Sequence, residues 1–108
     1  MKIPSEIKVA GINYQVSIAD HLPSEDAGYK WGECNYQDAE IRIWNELSDQ
    51  KKDQTFVHEL THAIFHEAGI DDQDEDQINR VGMVLYQVLQ DNAFHYPTKW
   101  QKGYVYEK

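Results

Sequence analysis

A chain of 108 residues with 41% hydrophobic content, three Trp and seven Tyr has room for one modest core and is too apolar for a disordered tail. Its formal net charge of −9 argues against direct nucleic-acid binding, since no Lys/Arg cluster is present to neutralise phosphates. The single cysteine, Cys34, excludes an internal disulfide, suits a reducing compartment and has no neighbour in thiolate spacing that would make it a metal ligand.

Residues Glu6 to Ala10 and Ile12 to Ile18 read as two strands, with Ile7/Val9 and Tyr14/Val16/Ile18 alternating around a turn at Ala10-Gly11. Pro23, Ser24 and Gly28 mark His21 to Gly28 as a loop. A third strand is expected over Tyr29 to Tyr36, turning at Gln37-Asp38 into Glu40 to Trp44, where Ile41 and Ile43 share one face. That last strand is either an exposed sheet edge open to an extended substrate or an internal strand. Ser48 is placed to cap a helix running to about Glu67, closed by Gly69 in the left-handed region. The acidic stretch Asp71 to Asp76 follows, with Asp74 as the cap of a second helix ending near Asn92. Its apolar positions are Ile78, Val81, Val84, Leu85, Val88 and Leu89. The tail from Phe94 to Lys108 shows no period, and Pro97 blocks helical continuation. Strands followed by helices, without repeats or a linker, imply one α+β domain over residues 1–108, its core about 6–92 and a tail over 93–108.

The first helix carries His58-Glu59-Leu60-Thr61-His62, an HExxH motif. At ~100° per residue, His58 and His62 lie ~40° apart and one turn apart along the axis. Two imidazoles so placed can grip one Zn²⁺, and Glu59 stands beside it as a general base for metal-activated water. Phe56, Val57, Leu60, Ala63 and Ile64 fall on the opposite, apolar side between ~140° and ~260°. His66 lies ~12 Å along the axis from His58, too far to complete the same site, and reads as lining or supporting it. Tyr86 is a candidate for stabilising an oxyanion, set against an ordinary packed tyrosine.

The third ligand is sought among the acids after His62. Glu67 points ~140° away from His62 on the same helix. Asp71 and Asp72 fall in the turn, and Asp74 serves better as a cap. On the second helix Glu75 lies ~60° from Ile78, beside the apolar face, whereas Asp76 lies at ~160° on the exposed side. Glu75 is therefore the expected ligand and Asp76 the alternative, with Asn79 sharing the edge of Glu75 as a possible support.

The order of parts resembles a known family. Gly32-Glu33-Cys34-Asn35-Tyr36 with Ile41 and Ile43, Gln54 to Ile64 around the motif, Glu75-Asp76-Gln77-Ile78, and Leu85 to Asn92 are similar to small phage-encoded zinc peptidases of the ImmA/IrrE type. The likeness spans roughly Ile7 to Asn92. The His-Glu-Leu-Thr-His-Ala string also occurs in thermolysin-like enzymes, but this chain is too short for that architecture. The resemblance implies a minimal zincin-like fold with His58 and His62 as ligands, Glu59 as general base and an acid on the next helix as third ligand. It also implies a site-specific protease acting on regulators such as phage or stress repressors.

The expectation is a zinc-dependent endopeptidase of narrow protein specificity, phage-encoded and working in the host cytoplasm on a protein or peptide substrate. The alternative is a non-catalytic, zinc-containing acidic protein that blocks a host factor. No apolar run approaches the ~18 residues of a membrane span, and Met1-Lys2-Ile3-Pro4 lacks a signal-peptide core, so no membrane partner is expected. Nothing in the sequence fixes the oligomeric state.

Overall fold

A computed structural model describes residues 1–24 and 28–93. Six strands and two helices follow in the order β1 (Glu6–Val9), β2 (Ile12–Ala19), β3 (Pro23–Ser24), β4 (Gly28–Tyr29), β5 (Gly32–Asn35), β6 (Glu40–Trp44), α1 (Asp49–Glu67) and α2 (Glu75–Asp91). The architecture is α+β, with a four-stranded mixed sheet in the order β1-β2-β6-β5 and a separate two-stranded β3–β4 pair. The expected tail, including Phe94 and Pro97, lies outside the described residues.

The β1–β2 hairpin turns through Ala10 (φ 51°) and Gly11 (φ 81°), the two positive-φ residues that a tight hairpin matching the strand twist requires. β2 then pairs in parallel with β6, and β5 pairs antiparallel on the outer side of β6. Of the two readings of Glu40–Trp44, the internal strand is therefore the observed one. The chain leaves β2, passes through β3 and β4, and lays down β5 as the edge before β6 fills the gap between them. The edge beside α1 is β5. Where a plain loop was expected over His21 to Gly28, Pro23 pairs with Tyr29 and Ser24 with Gly28.

One face of the sheet presents Val9, Tyr14, Val16, Ile41 and Ile43 to Leu47, Phe56, Val57, Leu60 and Ala63, forming the core. Period-2 alternation on β6 thus meets the apolar stripe of α1. Two expected core residues are not buried: Ile18 near the end of β2 and Ile64 on α1 remain exposed at 46% and 39%. α1 begins where Ser48 accepts a hydrogen bond from the Lys51 amide at 3.2 Å. It ends with Gly69 at φ 84°, the Ile70 amide reaching the Phe65 carbonyl and the Gly69 amide that of His66. This pairing satisfies carbonyls that the last turn would otherwise leave open.

α2 lies on α1 through a narrower contact than its sequence suggested. Ile78 is buried and Leu85 and Leu89 pack on the core, while Val81 (45%) and Val84 (63%) face outward. Among the described residues, α2 engages the core through Ile78, Leu85, Tyr86 and Leu89. Gly82 permits the close approach, since a Cβ there would stand 3.3 Å from Thr61 Oγ1 and 3.9 Å from His58 Cα.

Candidate metal centre

The two histidines and Glu75 come together where the start of α2 meets the middle of α1. His58 Nε2 lies 3.2 Å from Glu75 Oε1, and His62 Nε2 lies 3.6 Å from Glu75 Oε2. One ligand atom from each of the three falls within 4.8 Å of the others. Four ligands at ~2.0–2.1 Å around a tetrahedral zinc stand ~3.3–3.4 Å apart along each edge. The two histidine–Glu75 spacings bracket that edge, and two imidazoles with a carboxylate are a donor set that zinc accepts. The residues fit a zinc ion, and Asp76 does not join them: it pairs with Arg80 at 3.0 Å.

Glu75 reaches α1 because the segment between the helices folds back. Asp74 caps α2 by accepting from the Asp76 amide at 3.0 Å, which makes Glu75 the first helical residue. Just before the cap, Gln73 grips His62 twice. Its Oε1 lies 2.6 Å from His62 Nδ1, and its Nε2 donates to the His62 backbone carbonyl at 3.3 Å. That carbonyl can only accept, so the amide nitrogen must face it, and Oε1 is left to face the ring. An oxygen there requires a proton on Nδ1, which leaves the Nε2 lone pair free for a metal. Tyr36 supports the arrangement, its hydroxyl donating to the same Oε1 at 3.3 Å.

His66 is absent from the three-residue cluster, as its axial distance required. Its ring stacks on Tyr36 at 4.1 Å between centroids, and its Nδ1 lies 3.5 Å from Asp71 Oδ1. It therefore ties the sheet, α1 and the interhelical loop together behind His62. Glu67 also faces elsewhere, accepting from the Tyr14 hydroxyl at 2.7 Å.

Glu59 is 8% exposed. Burial raises its carboxyl to about 7; His62 opposes the rise while Glu75 and Glu33 add to it. Burial together with the proximity of His62 lowers the pKa of His58, against the pull of Glu75, and so favours the neutral imidazole that a metal needs. Gly32 on β5 makes room for Glu59: a Cβ there would meet Glu59 Cγ at 3.2 Å and Thr55 Cγ2 at 2.6 Å. Beyond it, burial raises the Glu33 pKa, but hydrogen bonds from Arg42 and Lys30 outweigh this and hold the carboxyl below its usual range. Cys34, half-buried against the core, is pushed up to about 12 by burial and stays a thiol.

A cleft of about 700 Å³ opens alongside His58, walled by Trp31, Met83 and Tyr86, with Gly82 and Asn79 also lining it. Neither Gln73 nor Trp31 was identified from sequence. Gln73 sits in an acidic stretch whose evident roles are turning and capping, and no periodicity marks it. Compared with known proteins, the chain matches no family model, no curated protein and no solved structure. Among the described residues, no helix is long and apolar enough to cross a membrane.

Proposed function

We propose that this chain is a zinc-dependent endopeptidase of narrow protein specificity, a minimal zincin-like enzyme of the phage-type ImmA/IrrE kind acting in a host cytoplasm. The observation that carries the reading is the convergence of His58, His62 and Glu75 within 4.8 Å of one another, with buried Glu59 adjacent in the same motif. Three protein ligands, none of them cysteine, suit a catalytic site with an open position better than a closed structural one. When bound, zinc supplies Lewis acidity, lowering the pKa of water and polarising a peptide carbonyl.

The protein groups then have separable tasks. His58 and His62 would hold the ion, and Glu75 would complete the set from α2. Glu59 takes the proton of the attacking water and delivers it to the leaving amide nitrogen. Burial raises this carboxyl to about 7 in the metal-free protein, and a neighbouring cation would favour the ionised form that accepts a proton. An extended substrate adds along β5, the strand edge whose Gly32 abuts Glu59. Tyr86 shares the cleft wall with His58 and is the donor assigned to the developing oxyanion.

The test is a comparison of new protein N-termini in host cells expressing wild type or Glu59→Gln. A small set of cleavages present only with wild type is expected. The second reading, a non-catalytic acidic binding protein, draws on the net charge of −9 and the exposed apolar stripe of α2. It prevails if Glu59→Gln keeps the full biological effect and wild type produces no new N-termini.

A further inference from the structure

The cleft beside His58 has a chemistry of its own. Among the described residues, no Asp, Glu, Lys or Arg lines it. Trp31 approaches from the sheet side, where the Lys51 ammonium sits 4.3 Å over its ring, and Met83 and Tyr86 approach from α2. Trp31 and Met83 are 50% and 73% exposed, so their apolar surfaces are open to an occupant of the cleft. The volume of about 700 Å³ falls within the ~300–1,000 Å³ typical of small-ligand sites. It holds one large side chain with its flanking backbone, and is too small for a folded partner.

His58 decides what occupies this space. The same imidazole that offers Nε2 to the metal centre forms part of the cleft wall. A group entering the cleft is therefore continuous with whatever is bound at that centre. We propose that the cleft is a specificity pocket for a large apolar side chain, aliphatic or aromatic, on a residue flanking the scissile bond. This rests on the peptidase reading above and adds the substrate class to it. Trp31 and Tyr86 supply flat walls that accept either shape, and Met83 supplies an adaptable thioether that conforms to both. Among the described residues lining the cleft a charged side chain finds no counter-ion, the neighbouring Lys51 ammonium being held over the Trp31 ring, and it loses its hydration on entry, so it is rejected.

The probes are hydroxamates, which bind zinc without needing a known substrate. Acetohydroxamate measures the metal centre alone. N-acetyl amino-acid hydroxamates and 2-substituted succinyl hydroxamates place a side chain on one or the other side of the ion. Each carries hydrogen, isobutyl, benzyl or carboxymethyl, and affinities for the zinc-loaded protein are read by calorimetry. At about fourfold per buried methylene, isobutyl and benzyl should bind at least tenfold more tightly than hydrogen in one of the two series, with carboxymethyl weaker than hydrogen. Met83→Glu should abolish that gain while leaving zinc content and acetohydroxamate affinity unchanged; Trp31→Ala should reduce it likewise. Affinities flat across side chains in both series, with acetohydroxamate still bound, overturn the pocket and spare the metal centre. The pocket is also overturned if both variants keep the full apolar gain. Absence of zinc and of acetohydroxamate binding overturns the peptidase reading, and the pocket's role with it.

Discussion

Replacing Glu59 with Gln should stabilise the metal-free protein, by an amount set by pH. The Glu59 carboxyl titrates ordinarily at 4.5 and in the fold at about 7, chiefly through burial. Below pH 4.5 it is protonated whether the chain is folded or not, and contributes no pH-dependent difference. Between 4.5 and about 7 the unfolded chain releases the proton while the folded chain retains it, so stability falls as pH rises. Above about 7 both states are ionised and the penalty is constant. At ~1.36 kcal/mol per pH unit, that displacement is on the order of 3 kcal/mol. Gln has the same shape and no titration, so Glu59→Gln escapes the penalty, while giving up the attraction to His62 that offsets part of it in wild type. Urea unfolding of chelator-treated proteins at pH 5 and pH 8 is the assay. The variant should exceed wild type by on the order of 3 kcal/mol at pH 8 and by well under half of that at pH 5. Saturating zinc should narrow the gap at pH 8, because a nearby cation favours the carboxylate. Equal stabilities at pH 8, or the same gap at both pH values, would refute the placement of a buried ionisable carboxyl here.

Three other outcomes follow from the same geometry. Gln73→Ala should weaken zinc binding by about 10–100-fold, measured by chelator competition, since it frees the ring and tautomer of His62; a loss under twofold would remove Gln73 from the site. Glu75→Ala should cost at least about tenfold in the same assay while Asp76→Ala, whose side chain pairs with Arg80, changes little; the reverse order would reassign the ligand. Gly32→Ala should lower stability by about 1–3 kcal/mol in urea unfolding, because the new Cβ overlaps Thr55 Cγ2 and crowds the Arg42 carbonyl; an unchanged midpoint would contradict the close packing of β5 on α1.

The parts of the fold written in local chemistry were legible from sequence. Ser48, Gly69 and Asp74 terminate helices through their own backbones and side chains, and a motif with fixed helical spacing declares its histidines without tertiary help. Glu75 was reachable because the wheel placed it at the margin of a buried face. What stayed hidden depends on which element arrives beside which. The order of strands cannot be read from alternation, so the internal position of β6 and the edge position of β5 needed the folded sheet. Val81 and Val84 carry the same period as Ile78 and Leu85, yet both remain exposed. Gln73 becomes a site residue only when the interhelical segment folds back to His62, an event with no signature in composition.

The most direct test of the central claim is zinc stoichiometry by elemental analysis joined to X-ray absorption at the zinc edge. Protein refolded with zinc and desalted should retain one equivalent, with two imidazoles and oxygen ligands at ~2.0–2.2 Å; the Glu75→Ala variant should lose an oxygen scatterer. Retention well under one equivalent, or a sulfur ligand at ~2.3 Å implicating Cys34, would contradict a centre built from His58, His62 and Glu75.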